Sequence, residues 1–214
     1  MDAGTLAPGR SVEGRALVAY SLGRMEERPL ALVFGGIHGD ELDTPRAVAA
    51  LASSLREGPG GGHVLLVEAV NPDGLAAGTK DNARGVDLNR NFPSINWSDL
   101  HPPGYAPGTS PLSEPESAWL AALIERFEPQ RLVAIHQPFR CVNFDGPARE
   151  LAERMAHACG WPAVADIGYP TPGSFGSCYG VDRGLPVITL ELPRPLDEED
   201  LGRAVAALRI ACMP

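Results

Sequence analysis

Three short apolar runs, each leading to a side chain that can hold a metal or a proton, constrain this chain more than any other feature. Leu30 to Phe34 leads through Gly35-Gly36-Ile37 to His38, Leu132 to Ile135 ends at His136, and Val187 to Leu190 ends at Glu191. Short runs this rich in Val, Ile and Leu suit strands covered on both faces. In an open α/β sheet, ligands bind beyond the carboxyl ends of the strands, near a reversal of strand order. Residues far apart in the chain can therefore meet in one crevice.

The rest of the pattern fits such a sheet. Thr44-Pro45 opens a helix with proline at its first helical position, and Ala47, Val48, Leu51 and Leu55 form its apolar face. The glycine-rich segment 58–62 closes that helix as a loop. Val64 to Val70 reads as the next strand, ended by the turn Asn71-Pro72-Asp73-Gly74. Strand, helix, strand in this order predicts a right-handed parallel crossover. Arg15 to Tyr20 predicts an earlier strand and Val164 to Ile167 a short extended piece. Further helices are expected from a serine cap at Ser113 to Phe127, from Ala148 to Cys159, and from Asp197 to near Ala211. Residues 75–113 and the loop Tyr169 to Gly180 lack periodicity, and a long irregular segment in a compact fold usually carries function. The expected architecture is a three-layer α/β/α domain over residues 1–214, built on a mixed, mainly parallel twisted sheet.

Composition narrows the function. The 214 residues are 44% hydrophobic with a net charge of −9, which suits one sizeable core and argues against nucleic-acid or anionic-membrane partners. No apolar run reaches the ~18 residues of a membrane span. Met1 to Arg10 has no basic start followed by an apolar stretch, so no secretory leader is expected. Cys141, Cys159, Cys178 and Cys212 show no C-x-x-C spacing, which reads as reduced thiols in a cytosolic protein.

His38, Glu41 and His136 offer two nitrogens and a carboxylate, a donor set suited to Zn²⁺. Three protein ligands plus water are the arrangement of a catalytic zinc. Glu191 is then the candidate general base; the competing reading is a strand-end glutamate paired with Arg194. Asn89 and Arg90 read as an anchor for a substrate carboxylate, since the arginine fork binds that group through two parallel hydrogen bonds. Asp87 is a candidate to hold the second ring nitrogen of His38 or His136. Lys80 and Arg84 are alternative donors to the oxyanion formed as water attacks. Tyr169 and Ser174 are candidate substrate contacts. His63 and His157 are expected at the surface, and His101 at the rim of the cleft.

The chain resembles the zinc carboxypeptidase superfamily and, within it, the murein peptide amidase group. His38-Gly39-Asp40-Glu41, Asn71-Pro72-Asp73-Gly74, the run Gly85 to Pro93, Tyr169 to Ser177 and Thr189 to Pro193 carry the resemblance. It implies one zinc on His38, Glu41 and His136, Glu191 as base, and Asn89 and Arg90 on a carboxylate. It implies a mixed eight-stranded sheet flanked by helices. It also implies a cytoplasmic enzyme of peptidoglycan recycling that cleaves the γ-D-glutamyl–diaminopimelate bond of a small murein tripeptide. Two positions depart from the pattern. Lys80 stands where the family's electrophilic arginine is expected, and Gln137 follows the second histidine where an acidic residue is common. The alternatives are a deacylase of N-acyl amino acids, akin to succinylglutamate desuccinylase and aspartoacylase, and a zinc-bearing peptide-binding module with decayed catalysis.

Overall fold

The computed structural model describes residues 5–23, 27–57 and 62–214. Most of the glycine-rich loop expected after the first helix therefore lies outside the described residues. The elements in chain order are β1 (Thr5–Arg10), β2 (Ala16–Leu22), β3 (Ala31–Phe34), α1 (Asp43–Glu57), β4 (Val64–Val67), α2 (Pro72–Ala77), α3 (Pro115–Phe127), β5 (Arg131–His136), β6 (Phe139–Asp145), α4 (Arg149–Cys159), β7 (Ala163–Val164), β8 (Val187–Pro193) and α5 (Glu198–Ala211). Two single helical turns, Leu88–Arg90 and Gly176–Asp182, complete the scaffold.

The strands form one eight-stranded sheet in the order β1-β2-β4-β3-β5-β8-β6-β7. The centre, β4-β3-β5-β8, is parallel, while β1, β2 and β6 pair antiparallel with their neighbours. β6 and β7 are parallel to each other. The expected crossover is present as β3-α1-β4. Strand order reverses at β3, with β4 on one side and β5 on the other, so His38 and His136 emerge side by side at the switch point.

Alternation along the strands builds two cores. Val33, Val133, Ile135, Ile188 and Leu190 face α1, α4 and α5 through Val48, Leu51, Ala152, Met155, Ala204 and Leu208. Leu32, Phe34, Leu132, Ala134 and Val187 face α3 and the second helical turn through Leu120, Leu123, Ile124, Phe175 and Tyr179. Burying a single Leu or Ile side chain stabilises by about 1.5–3 kcal/mol, so both layers hold the central strands firmly. The strand ends that carry the chemistry inherit that rigidity.

Several elements differ from the sequence reading. β1 pairs with β2 although its sequence contains Pro8 and Gly9, and its register shifts between Leu6 and Gly9. The Asn71 turn continues into α2, because the Asn71 side chain accepts from the Gly74 N–H and left-handed Gly78 closes the helix. Val70 lies beyond the strand expected to contain it. Glu114 rather than Ser113 holds the N-cap position of α3, and its side chain makes no capping hydrogen bond. His63 is buried, its Nδ1 2.7 Å from the Glu27 carbonyl oxygen, not at the surface. His157 is exposed as expected.

Candidate metal centre and substrate cavity

His38 follows β3, Glu41 stands at the entry to α1, His136 ends β5, and Glu191 lies in β8 directly opposite His136. His38 Nδ1 is 2.9 Å from Glu41 Oε1, and His136 Nδ1 is 3.1 Å from Glu41 Oε2. The candidate ligand atoms of the three residues all lie within 4.8 Å of one another. Zinc bonds of ~2.0–2.2 Å put neighbouring ligand atoms about 3–3.5 Å apart, a spacing that the two histidine–glutamate pairs approach. Glu41 Oε2 is buried without a hydrogen bond among the described residues. It faces His136 Nδ1 across 3.1 Å without hydrogen-bond geometry, an arrangement suited to two atoms that share a cation. The donor set and this pairing both fit zinc.

Electrostatics agree. Burial pushes the Glu41 carboxyl up, but His136 and His38 against it bring it down to about 2. Burial pushes the His38 imidazole down, and Asp87 and Glu41 overcome this to bring it up to about 9. Asp87 Oδ1 lies 3.1 Å from His38 Nε2 and accepts from the Asn89 N–H at 2.9 Å, while Oδ2 accepts from Lys80 at 2.6 Å. Asp87 thus partners His38 rather than His136. A proton on His38 Nε2 leaves Nδ1 to face Glu41 and the metal position.

The run Asp87 to Phe92 explains how its polar members reach the cavity. Leu88 and Phe92 are fully buried in the second core, and the short turn between them presents Asn89 and Arg90 to the cavity. Asn91 points inward instead, donating to the carbonyls of Pro107 at 2.7 Å and Ser110 at 3.0 Å, and accepting from Ser117. It ties the irregular segment after residue 93 to the site. Asn89 Oδ1 accepts from the Phe175 N–H at 3.0 Å. Arg90 is only 5% exposed, donates to the Asn89 carbonyl at 2.7 Å, and lies over Tyr105. Among the described residues it forms no ion pair.

The cavity holds about 370 Å³ and is lined by His38, Glu41, His136, Glu191, Asn89 and Arg90, with Lys80 and Tyr169 among its further walls. Glu191 is 4% exposed, and burial pushes its carboxyl above the ordinary range. Lys80 donates to Asp87 and to the Gly104 carbonyl at 2.7 Å, and sits over the Tyr105 ring. Arg84 is not brought to the cavity: its guanidinium is exposed and lies 3.5 Å from Glu114 on the far side of the loop. Tyr169 stands at the wall beside Phe139, with ring centroids 6.2 Å apart. The Ser174 hydroxyl lines the cavity but is engaged within its own loop, 3.0 Å from both the Ser177 hydroxyl and the Ser177 N–H. Gln137 donates to the Pro193 carbonyl at 2.9 Å and to Asp43 Oδ2 at 3.1 Å, so its amide braces α1 against β8. Arg194, the competing partner for Glu191, donates instead to the Asp40 carbonyl. His101 lines an adjoining apolar cleft with Tyr105 and Tyr169 rather than the cavity that holds the candidate ligands.

Sequence reasoning missed Tyr105, Phe139, Asn143 and Asp145. The polar–apolar alternation Cys141-Val142-Asn143-Phe144-Asp145 carries the signal for the last two. All four cysteines are free and buried, in line with the unpaired reading.

Residues 5–145 match the family model described as zinc carboxypeptidase. The chain belongs to the zinc carboxypeptidase family. It is 36% identical to murein peptide amidase A of Escherichia coli strain K12, over 93% of this chain and 87% of that protein. The protein of the same name from Vibrio campbellii is 36% identical over 86% of this chain and 77% of its own length. The solved murein-tripeptide amidase of Escherichia coli O157 matches with a TM-score of 0.80 at 35% identity, covering 99% of this chain and 91% of that one. Carboxypeptidase A of Helicoverpa armigera matches with a TM-score of 0.81 at 18% identity, over 98% and 67%; that likeness speaks for the fold alone. This zinc carboxypeptidase-family protein is a hydrolase, and its eight-stranded sheet agrees with the expected architecture. No helix among the described residues is long and apolar enough to cross a membrane.

Proposed function

We propose that this protein is a zinc-dependent amidase that cleaves the γ-D-Glu–meso-diaminopimelate bond of the murein tripeptide L-Ala-γ-D-Glu-meso-diaminopimelate. The observation that carries the reading is Arg90. Among the described residues this buried guanidinium has no direct ion pair, which is costly, and it lines the same cavity as the His38–Glu41–His136 cluster and Glu191. A substrate carboxylate supplies the missing charge. The cavity suits a small peptide rather than a folded protein, and the two amidase relatives named above match over most of this chain.

One zinc per chain, held by His38, Glu41 and His136, would polarise the scissile carbonyl and acidify the attacking water. Glu191 takes the proton from that water on its carboxylate and returns it to the departing amine. Its burial favours the protonated form that such a shuttle must pass through. Arg90 and the free amide nitrogen of Asn89 orient the substrate carboxylate. Asp87 fixes the His38 ring. Lys80, which donates to Asp87 and Gly104 and sits over the Tyr105 ring, adds positive charge beside the oxygen of the scissile carbonyl; Arg84, held at Glu114, takes no part. Tyr169 shields the bound peptide, and Ser174 shapes the loop that carries Phe175. Residues 1–214 act as one catalytic unit in this reading, since the sheet draws strands from both halves of the chain. A cytoplasmic role in peptidoglycan recycling goes with it.

The test compares wild type with Glu191→Gln on the tripeptide and on N-succinylglutamate. Wild type releases diaminopimelate. The variant retains about one zinc per chain and loses roughly 10²–10⁴-fold in turnover. Turnover of the acyl amino acid alone, or tight tripeptide binding by an inactive wild type, overturns the proposal.

A further inference from the structure

Of the 18 lysine and arginine residues in this chain, Lys80 alone is lysine. An ammonium is a compact point charge on a flexible stem, whereas a guanidinium is a rigid planar fork. The position of the Lys80 head is therefore set by what surrounds it. It donates to Asp87 Oδ2 at 2.6 Å and to the Gly104 carbonyl at 2.7 Å, and it lies over the Tyr105 ring, 4.0 Å from the centroid. The guanidinium carbon of Arg90 lies over the same ring at 5.2 Å. Both distances fall within the ~6 Å over which an aromatic face attracts a cation. One side chain thus meets both Lys80 and Arg90, and all three line the cavity.

The backbone on either side of Tyr105 is registered to the site. The Gly104 carbonyl accepts from Lys80, and the Ala106 carbonyl accepts from the Asp87 N–H at 2.8 Å. The next carbonyl, that of Pro107, accepts from Asn91 at 2.7 Å. Gly104 has a φ of 82°, and a Cβ added there would meet nothing within 4 Å, so backbone conformation rather than crowding calls for glycine. That left-handed turn delivers a carbonyl and the ring that follows it to the same ammonium.

A carboxylate beside each cation would hold it but would also cancel its charge. An aromatic face attracts a cation through its quadrupole and carries no net charge. Arg90, which has no direct ion pair among the described residues, is held by the ring with its charge intact. Asp87 already offsets part of the Lys80 charge, and the ring adds attachment without further cancellation. We propose that Tyr105 is a positioning residue for hydrolysis, its ring face holding Lys80 beside the scissile carbonyl oxygen and Arg90 at the substrate carboxylate. This deepens the proposed function and rests on it for the parts that Lys80 and Arg90 play. The ring rather than the hydroxyl makes both contacts, so phenylalanine should serve in its place.

The experiment uses the zinc-loaded full chain grown with lysine carrying carbon-13 at Cε. Lys80 is the single lysine, so one Cε–Hε signal reports on it, and a ring facing the ammonium moves that signal upfield of free lysine. The shift is expected in wild type and in Tyr105→Phe, and its loss in Tyr105→Leu. On the tripeptide, Tyr105→Leu should lower kcat about tenfold, through Lys80, and raise KM about tenfold, through Arg90, the size of one cation–π contact each. Tyr105→Phe should stay within about threefold of wild type in both. In a Lys80→Met background the kcat effect of Tyr105→Leu should shrink below about twofold while its KM effect persists. A residue that only braces its loop would give additive losses instead. An unshifted lysine signal in wild type, a shift that survives Tyr105→Leu, a Tyr105→Phe protein as impaired as Tyr105→Leu, or additive losses overturns the inference. A wild type that leaves the tripeptide uncut while showing the ring-dependent shift overturns the proposed function and leaves the hold of Tyr105 on Lys80 standing.

Discussion

Gly39 stands between two candidate ligands, and replacing it with alanine tests how the metal centre is held. Its φ is outside the left-handed region, so alanine suits the local backbone. The constraint is the neighbour: an added Cβ would lie 2.0 Å from the Gly74 carbonyl carbon, 2.4 Å from Leu75 N and 2.5 Å from Gly74 Cα. Ordinary contact begins at 3.4 Å, so the two backbones must separate by about 1.4 Å. Neither side gives readily. The Gly39 N–H is tied to the Lys80 carbonyl at 3.1 Å, and Gly74 N is capped by Asn71 Oδ1 at 2.8 Å. A zinc site tolerates distance errors of about 0.2 Å, so a shift this large in the His38–Glu41 loop disassembles it. Overpacking of this kind costs about 2–3 kcal/mol, or roughly 5–10 °C in Tm for a chain of this size. Thermal melts of the metal-free protein and zinc competition with a chromophoric chelator measure the two effects separately. We expect Gly39→Ala to lower the metal-free Tm by that amount and zinc affinity at least 100-fold, about 2.7 kcal/mol. A metal-free Tm within 1–2 °C of wild type (about 0.5 kcal/mol), together with unchanged zinc affinity, refutes the reasoning.

Two further substitutions probe other parts of the fold. Asp87→Asn keeps an oxygen for the Asn89 N–H but removes the charge facing His38 and Lys80; zinc affinity should fall about 10–100-fold, and chelator competition showing no change would contradict the role given to Asp87. Gly202 is exposed within α5 and an added Cβ meets nothing within 4 Å. Gly202→Ala should stabilise by about 0.5–1 kcal/mol, and a lowered midpoint in urea would count against an uninterrupted helix there.

What could be read from the sequence follows from where its information is local. β3, β5 and β8 are apolar runs buried on both faces, so their hydrophobicity announces them, and the residues at their ends locate the candidate ligands and candidate base. β1 announces nothing: Pro8 and Gly9 are poor strand formers, and pairing with β2 imposes the strand. β6 carries polar residues on the cavity face and begins beside Pro138, so its short alternation is easily passed over, and Asp145 with it. The choice between Lys80 and Arg84 was equally hidden. Both are loop cations near Asn89, and only tertiary placement sets one against Asp87 and the other against Glu114. Gln137 shows the reverse case. Its departure from the family pattern is plain in the sequence, but only the fold shows that its amide braces α1 and β8.

His136 and Glu191 face each other across two hydrogen-bonded parallel strands. Their separation is thus a property of the backbone ladder, and a slip of one residue would turn one of them out of the cavity. The long surface connections lie outside that ladder. In such a scaffold the loops and the β6 wall can be remodelled while the His136–Glu191 pair stays where the ladder sets it.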